Sequence, residues 1–350
     1  MADDDTGSAA VLTRVAGRAG YITLNRPGAL NALTRPMVRE FAAALDRFDA
    51  DPSVAVVVLT GAGERGLCAG GDIRAIRTDA LAGGRESFAF WRDEYRLNAR
   101  IARFRKPFAA VMDGIVMGGG VGVSAHGSVR IVTERSRVAM PETGIGFVPD
   151  VGGTYLLARA PGGTGTHLAL TGLPVGAADA LLCGLADHFV PSDRLSALMA
   201  ALAGGDVAET VARFAADAPA GGLADHRAWI DSCYAADTVE EIVDRLLAHG
   251  DPAAKEAAET ILTRSPTSLK VTLAALRRAR PLGALEPVLE QEYRVSCAVF
   301  STPDLVEGIR AQVVDKDRAP RWSPARLAEV TAADVERFFT EAPDGGLGLV

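Results

Sequence analysis

The sequence predicts a layered α/β fold on three observations: short apolar β-branched runs, helical-period segments between them, and a change after about residue 190 to helical patterning alone. Val11 to Val15 and Tyr21 to Leu24 are β-rich runs separated by Gly17-Arg18-Ala19-Gly20, which reads as a hairpin. After Thr34 and Pro36, the residues Met37, Phe41, Leu45 and Phe48 recur at helical spacing, and Asp51-Pro52 ends that helix. Val54 to Leu59 is a continuous apolar run, the pattern of a strand covered on both faces. Phe108 to Met112, behind Lys106-Pro107, and Val129 to Val132 repeat the signal, each reached through a stretch able to form helix. Val207 to Phe214, Val239 to Leu247, Leu269 to Arg278 and Ala332 to Phe339 carry helical spacing. From Glu341 onward, Pro343, Gly345, Gly346 and Gly348 predict a frayed tail. The expected organisation is a core over 1–190 and a helical region over 191–350.

With 350 residues, 48% of them hydrophobic and 23% charged, the chain has enough apolar material for a substantial core, so disorder is not the default reading. Lys and Arg total 37 against 44 Asp and Glu, a net charge of −7, so no global field attracts nucleic acid or an anionic membrane. An anionic ligand needs a local site. No apolar run approaches the roughly 20 residues that span a bilayer, and the opening Met-Ala-Asp-Asp-Asp is acidic where a targeting peptide is basic. The expectation is a cytoplasmic protein with neither a membrane nor a nucleic acid as partner. Cys68, Cys183, Cys233 and Cys297 lack CxxC spacing, so they read as core residues, with no disulfide framework and no metal site.

Gly61-Ala62-Gly63-Glu64-Arg65-Gly66 fits GxGxxG behind a strand, the context of a dinucleotide-binding turn. That turn must open a helix, and Gly70-Gly71 stand where helical residues are required, so the reading is rejected. More informative are two other clusters, each after a strand: Cys68-Ala69-Gly70-Gly71-Asp72 and Met117-Gly118-Gly119-Gly120-Val121-Gly122. Glycine lets a ligand approach the backbone, and a following helix aims free N–H groups at a negative oxygen. Two such groups converging on one point make an oxyanion hole. Singly, each cluster also reads as a tight turn.

Together with Leu24-Asn25-Arg26-Pro27 and Ala29-Leu30-Asn31-Ala32-Leu33, these clusters resemble the crotonase, or enoyl-CoA hydratase/isomerase, superfamily over about the first 190 residues. The resemblance implies a crotonase-like spiral of ββα turns followed by helices that commonly support trimers, so a homo-oligomer is expected. It also implies a coenzyme A thioester whose carbonyl is polarised by the N–H groups of Gly71 and Gly119. Arg26, Ala29, Leu30 and Ala32, with Ala69, Gly70, Asp72 and Ile73, would hold the adenine and pantetheine. Coenzyme A is then part of the substrate and no separate cofactor is expected.

Hydratases of this family carry two glutamates; here the first of those positions is Gly122, and the second matches Glu142 in Met140-Pro141-Glu142-Thr143. A glycine cannot orient or deprotonate water, which argues against hydration by paired carboxylates. Asp150 in Pro149-Asp150-Val151-Gly152-Gly153, Glu94 in Glu94-Tyr95-Arg96-Leu97-Asn98 and the string Gly119 to Gly127 are similar to the 3-hydroxyisobutyryl-CoA hydrolase branch. So are Ser265-Pro266-Thr267-Ser268-Leu269-Lys270, Glu292-Tyr293-Arg294, Glu307-Gly308-Ile309-Arg310, Asp315-Lys316-Asp317 and Arg321-Trp322-Ser323-Pro324. The resemblance implies hydrolysis of a short 3-hydroxyacyl-CoA in valine breakdown. Glu142 would attack the carbonyl or activate water, Asp150 would share the proton handling, and Glu94 would accept the substrate 3-hydroxyl.

Three alternatives stand beside it. One is an enoyl-CoA isomerase or residual hydratase of the same superfamily, opposed by Gly122, Asp150 and Glu94. Another is a non-catalytic RNA-binding relative, opposed by the net charge of −7. A serine hydrolase built on Ser124 and His126 fails because Gly122 to His126 is not GxSxG.

Overall fold

The computed structural model describes residues 9–340 and 345–350; the acidic first residues and the start of the glycine-rich tail lie outside them. Strands follow the chain as β1 (Val11–Ala16), β2 (Ala19–Leu24), β3 (Val56–Gly61), β4 (Gly66–Cys68), β5 (Phe108–Met112), β6 (Ile115–Met117), β7 (Val129–Val132), β8 (Arg137–Ala139) and β9 (His188–Phe189). β1 and β2 form an antiparallel hairpin with Val11 opposite Leu24. β3, β5, β7 and β9 then add in parallel to a six-stranded sheet of order β1-β2-β3-β5-β7-β9, while β4, β6 and β8 form a second, three-stranded parallel sheet. The chain thus visits the large sheet, then the small one, then a helix, and repeats, which is the expected ββα spiral.

Alternation along the large sheet explains the unbroken apolar runs. Ile22, Leu24, Val57, Leu59, Ala110, Met112 and Val132 face the main core, where the helix α1 (Arg35–Ala50) buries Met37, Phe41, Leu45 and Phe48. Tyr21, Val56, Val58, Ala109, Val111 and Ile131 face the opposite side, covered by Leu195, Leu198, Leu202, Val207 and Val211. Thr34 caps α1 by accepting from the amide of Met37, with Pro36 in the first turn, and Asp51 closes it.

The other helices of the first part are α2 (Ile73–Leu81), α3 (Glu86–Ala102), α4 (Gly119–Ser124), α5 (Gly153–Leu157), α6 (Thr164–Thr171) and α7 (Ala177–Leu182). Beyond β9 come α8 (Leu195–Leu202), α9 (Val207–Phe214), α10 (Leu223–Cys233), α11 (Val239–Ala248), α12 (Pro252–Leu262), α13 (Pro266–Leu282), α14 (Leu285–Val299), α15 (Pro303–Ile309) and α16 (Ala332–Glu336). Strands stop at the expected line near residue 190, yet a single apolar core runs across it from Val11 to Leu347. α14 packs on α3, and α15 reaches back to α2.

The tail corrects an expectation. Glycines alone predict fraying, but Leu347 is buried, the amides of Leu347 and Leu349 each donate at 2.9 Å to the Glu290 carboxylate, and Arg96 donates to the Leu347 carbonyl at 2.7 and 3.0 Å. All four cysteines are free and buried. No helix among the described residues is long and apolar enough to cross a membrane.

Candidate active site

β4 delivers the first glycine loop. Ala69 donates to the Leu30 carbonyl, Leu33 to that of Gly70 and Asp72 to that of Leu33, at 3.0, 2.8 and 2.9 Å, so the loop lies against Leu30 to Leu33 as a strand-like pair. That segment is bent by Leu30 and Asn31, both at positive φ (51° and 56°), a conformation that the Asn31 side chain supports by donating to the carbonyls of Ala62 and Gly66. Asp72 caps α2 through the amide of Ala75.

β6 delivers the second loop: Gly118, at φ 49°, turns the chain into α4, whose first residue is Gly119. The two loops meet without room for a side chain. A methyl on Gly119 would lie 3.3 Å from the Gly71 nitrogen and 2.5 Å from Glu94 Oε1; one on Gly70 would lie 3.5 Å from the Gly119 nitrogen. Gly71 and Gly119 both line one cavity of about 230 Å³. Among the described residues neither amide donates to another protein group, and the amide of Gly119 opens a helix. Two free donors beside one small volume is the arrangement that stabilises a developing oxyanion.

Three carboxyls line the same cavity: Glu94 from α3, Glu142 from the 3₁₀ turn after β8 (Glu142–Ile145), and Asp150 just before α5. All three are buried. Glu94 Oε1 and Glu142 Oε2 are buried with no hydrogen-bond partner in the protein. Asp150 Oδ2 accepts from the Tyr95 hydroxyl at 2.5 Å, and Ser296 Oγ lies 2.7 Å from that hydroxyl. Burial, with repulsion from Asp150, holds Glu94 and Glu142 well above the usual carboxylate range. Burial carries Asp150 up to about 7, against the opposing bond from Tyr95.

The turn that presents Asp150 is strained and braced. Val151 sits at φ 54°, unusual for a β-branched residue, and Gly152 at φ 80°. Glu292, buried on α14, accepts from the amides of Gly152 and Thr154 at 2.6 and 2.9 Å and from the Thr154 hydroxyl at 2.5 Å. His126 Nε2 lies 2.8 Å from the Val151 carbonyl; burial depresses this imidazole to about 4, so it is neutral and donates. Burial lifts Glu292 to about 8, partly offset by those bonds.

Gly122 is explained by the same turn. A side chain there would meet Val151 Cβ at 2.6 Å and Asn98 Nδ2 at 3.0 Å, so the space a hydratase glutamate would occupy is filled. The remaining walls are apolar: Ile73, Ile76, Phe90, Trp91 stacked on Phe147 at 5.3 Å, and Leu305, Ile309 and Val313 from α15 and the turn beyond it.

Of the residues expected to contact coenzyme A, Ala69, Gly70 and Ile73 line the cavity, and Ala29, Leu30 and Ala32 lie on the segment paired with the loop. Arg26 is already engaged: its guanidinium donates to the Ala32 carbonyl at 2.6 Å and pairs with Asp72 at 3.3 Å, tying the two segments together. Sequence reasoning gave no role to Tyr95, Ser296, Glu292, Val151 or the α15 wall, although Tyr95, Glu292, Val151 and, on α15, Ile309 stood inside motifs already picked out. Ser124 Oγ donates to the Gly120 carbonyl and His126 serves Val151, so the two form no catalytic pair. Cys68 is buried with its thiol pushed up to about 12, inert as a nucleophile and in contact with the Gly70 amide.

A model of the family described as enoyl-CoA hydratase/isomerase matches residues 19–339. The chain is 43% identical over 345 residues, 95% of this chain and 89% of the relative, to the mitochondrial 3-hydroxyisobutyryl-CoA hydrolase of Rattus norvegicus. It is 41% identical to that of Homo sapiens, over 94% of this chain and 88% of the relative. Among solved structures, a carnitinyl-CoA dehydratase from Mycobacterium thermoresistibile superimposes with TM-score 0.94 at 55% identity, covering 97% of this chain and 98% of the other. An enoyl-CoA hydratase from Rhodobacter sphaeroides 2.4.1 gives TM-score 0.91 at 44% identity, covering 97% and 99%.

Proposed function

The chain belongs to the enoyl-CoA hydratase/isomerase family, and within it we propose that this protein hydrolyses a short 3-hydroxyacyl-CoA thioester, 3-hydroxyisobutyryl-CoA to 3-hydroxyisobutyrate and coenzyme A. The observation that carries the reading is the site's acid pattern: Gly122 is sealed by Val151 and Asn98, while Glu94, Glu142 and Asp150 converge on the cavity that holds two free amides.

In this reading the amides of Gly71 and Gly119 polarise the thioester carbonyl and hold the oxyanion as the carbon becomes tetrahedral. Glu142 stands beside Gly118, its Oε1 2.8 Å from where a methyl on that glycine would be, and delivers the oxygen by one of two routes: with its proton passed to Asp150 it attacks the carbonyl, forming an anhydride that water then hydrolyses, or it activates the water that attacks, with the proton passing on to Asp150. Collapse of the tetrahedral adduct breaks the C–S bond, and the thiolate leaves as the coenzyme A thiol after taking a proton from the acid pair. Asp150 receives the proton of the attacking water. Glu94, with a free oxygen against the oxyanion loop, accepts the substrate hydroxyl, which selects 3-hydroxyacyl groups. The coenzyme A moiety lies along Ala29 to Ala32 and Ala69 to Ile73, with Arg26 and Asp72 as the brace. No separate cofactor takes part.

The solved relatives described as a dehydratase and a hydratase favour a second reading, addition of water to an enoyl-CoA. The filled space at Gly122 weighs against it, and the RNA-binding alternative has no support among the relatives named above. Valine breakdown and a cytoplasmic setting belong to the same proposal. The relatives' names supply the substrate for the first; for the second, those same relatives are called mitochondrial. A homo-oligomer rests on family membership alone, and sedimentation analysis decides it.

The test is release of free thiol from 3-hydroxyisobutyryl-CoA, run against crotonyl-CoA hydration. Thiol release with little hydration is the expected result, and Glu142→Gln should lower it on the order of a hundredfold or more. Hydration without thiol release would move the protein to the second reading.

A further inference from the structure

Tyr95 and Ser296 are fully buried and neither lines the cavity, so they cannot touch substrate, yet the Tyr95 hydroxyl ends on Asp150 and that of Ser296 on Tyr95. A tyrosine has one hydroxyl proton. Since Tyr95 gives it to Asp150 Oδ2 at 2.5 Å, the 2.7 Å contact with Ser296 must run the other way, with Ser296 donating to the Tyr95 oxygen. The result is a directed chain from α14 through α3 to the carboxylate, each bond polarising the next.

We propose that Tyr95, backed by Ser296, is the positioning residue that fixes Asp150 as the proton acceptor of the site and sets the acid limb of the enzyme's pH profile. The role rests on the hydrolase reading above. Groups facing Asp150 come from three elements, Glu94 and Tyr95 on α3, Glu142 on the 3₁₀ turn and Glu292 on α14, while neutral His126 beyond α4 holds the carbonyl of the next residue, Val151. The three acids all oppose a charge on Asp150. Among the described residues, Asp150 is the one cavity carboxyl that receives a side-chain donor; Glu94 Oε1 and Glu142 Oε2 receive none. The single negative charge that the crowded site tolerates therefore settles on Asp150, with its Oδ2 tied back. Burial and the neighbouring Asp150 hold Glu94 and Glu142 well above their ordinary range, so of the three carboxyls a charge is held most easily on Asp150. Activity then falls as pH drops through about 7, where Asp150 gains its proton.

The experiment follows thiol release against pH for the parent enzyme, Tyr95→Phe, Ser296→Ala, Asp150→Asn and the Tyr95→Phe/Asp150→Asn double variant. Phenylalanine keeps the ring against Tyr293 and removes only the hydroxyl. Loss of the donor raises the Asp150 pKa, so the acid limb of Tyr95→Phe should move up by about one pH unit, given the usual worth of a hydrogen bond to a charged group. At pH 6.5 kcat should fall roughly tenfold while KM stays within about twofold, with most of the loss recovered at pH 9. Ser296→Ala should shift the limb less, in the same direction, and the double variant should behave as Asp150→Asn alone. An unmoved limb with kcat lowered equally at every pH overturns the proposal, as does a change carried by KM. Should Tyr95→Phe fail to fold, an unmoved limb in Ser296→Ala overturns it as well. If the parent releases no thiol, the hydrolase reading fails first. The positioning role is then judged by carbon-13 NMR titration of the Asp150 carboxyl, where equal midpoints in parent and Ser296→Ala protein sink it.

Discussion

Position 122 has no room for a side chain, so it offers the site no second glutamate, through volume as much as through chemistry. A glutamate introduced there would not simply restore the missing acid, because Val151 Cβ and the Asn98 amide already stand within 2.6 and 3.0 Å of its Cβ. Gly122→Glu should therefore show no gain in crotonyl-CoA hydration by ultraviolet assay. It should also lose stability by at least the ~1–3 kcal/mol typical of an overpacked core, read from a urea melt. Measurable hydration from this variant would mean that the Asp150 turn yields easily. The residues of this site were unequally readable in the sequence. Gly71, Gly119, Glu94, Glu142 and Asp150 lie in short motifs whose glycine and acid content advertises chemistry. Ser296 and Glu292 act on Asp150 from about 140 residues away along the chain, a relation that no local spacing encodes. Val151 escaped because its left-handed backbone follows from the braces around it, not from its own preference.

The helices that close the cavity come from the part of the chain with no strands. α15 and the turn beyond it contribute Leu305, Ile309 and Val313, held to α2 by Arg77 donating to the Val306 carbonyl at 3.2 Å and Arg74 to that of Val313 at 2.6 Å. Leu305 is 1% exposed, so Leu305→Ala should cost ~2–5 kcal/mol and enlarge the acyl end of the site. A panel of 3-hydroxyacyl-CoA substrates should then show relative kcat/KM moving toward longer chains; an unchanged preference would remove α15 from substrate selection. Long elements were the readable ones: the helical spacing of Met37 to Phe48 and the apolar run of Phe108 to Met112 each announce themselves. β4, β6 and β8 have three residues apiece, too few for a periodicity, and they form because the larger sheet carries the chain past them. The tail misled for a related reason. Its glycines speak for disorder, and the Glu290 carboxylate that pins it sits in a different helix.

Burying four acids side by side weakens the whole protein in a pH-dependent way. Asp150 titrates near 7 and Glu292 near 8, against about 3.8 and 4.5 in an unstructured chain, so between those values the native state binds more protons than the unfolded one. Their contribution is fully present below the unfolded values and is lost as pH rises through the folded ones. Stability should accordingly decline from pH 5 to pH 8, by an amount on the order of a few kcal/mol. Glu142→Gln and Asp150→Asn should each raise the thermal midpoint, more at pH 8 than at pH 5, by calorimetry. An equal rise at both pH values would mean that these carboxyls are not protonated in the native protein.

The wall formed by Leu305, Ile309 and Val313 also orders events in time. When the ribosome has exported the first three hundred residues, both amide donors and all the acids already exist, but the chamber has an open side. A polypeptide stopped before Leu305 lacks those three side chains, and with them one wall of the chamber around the acids.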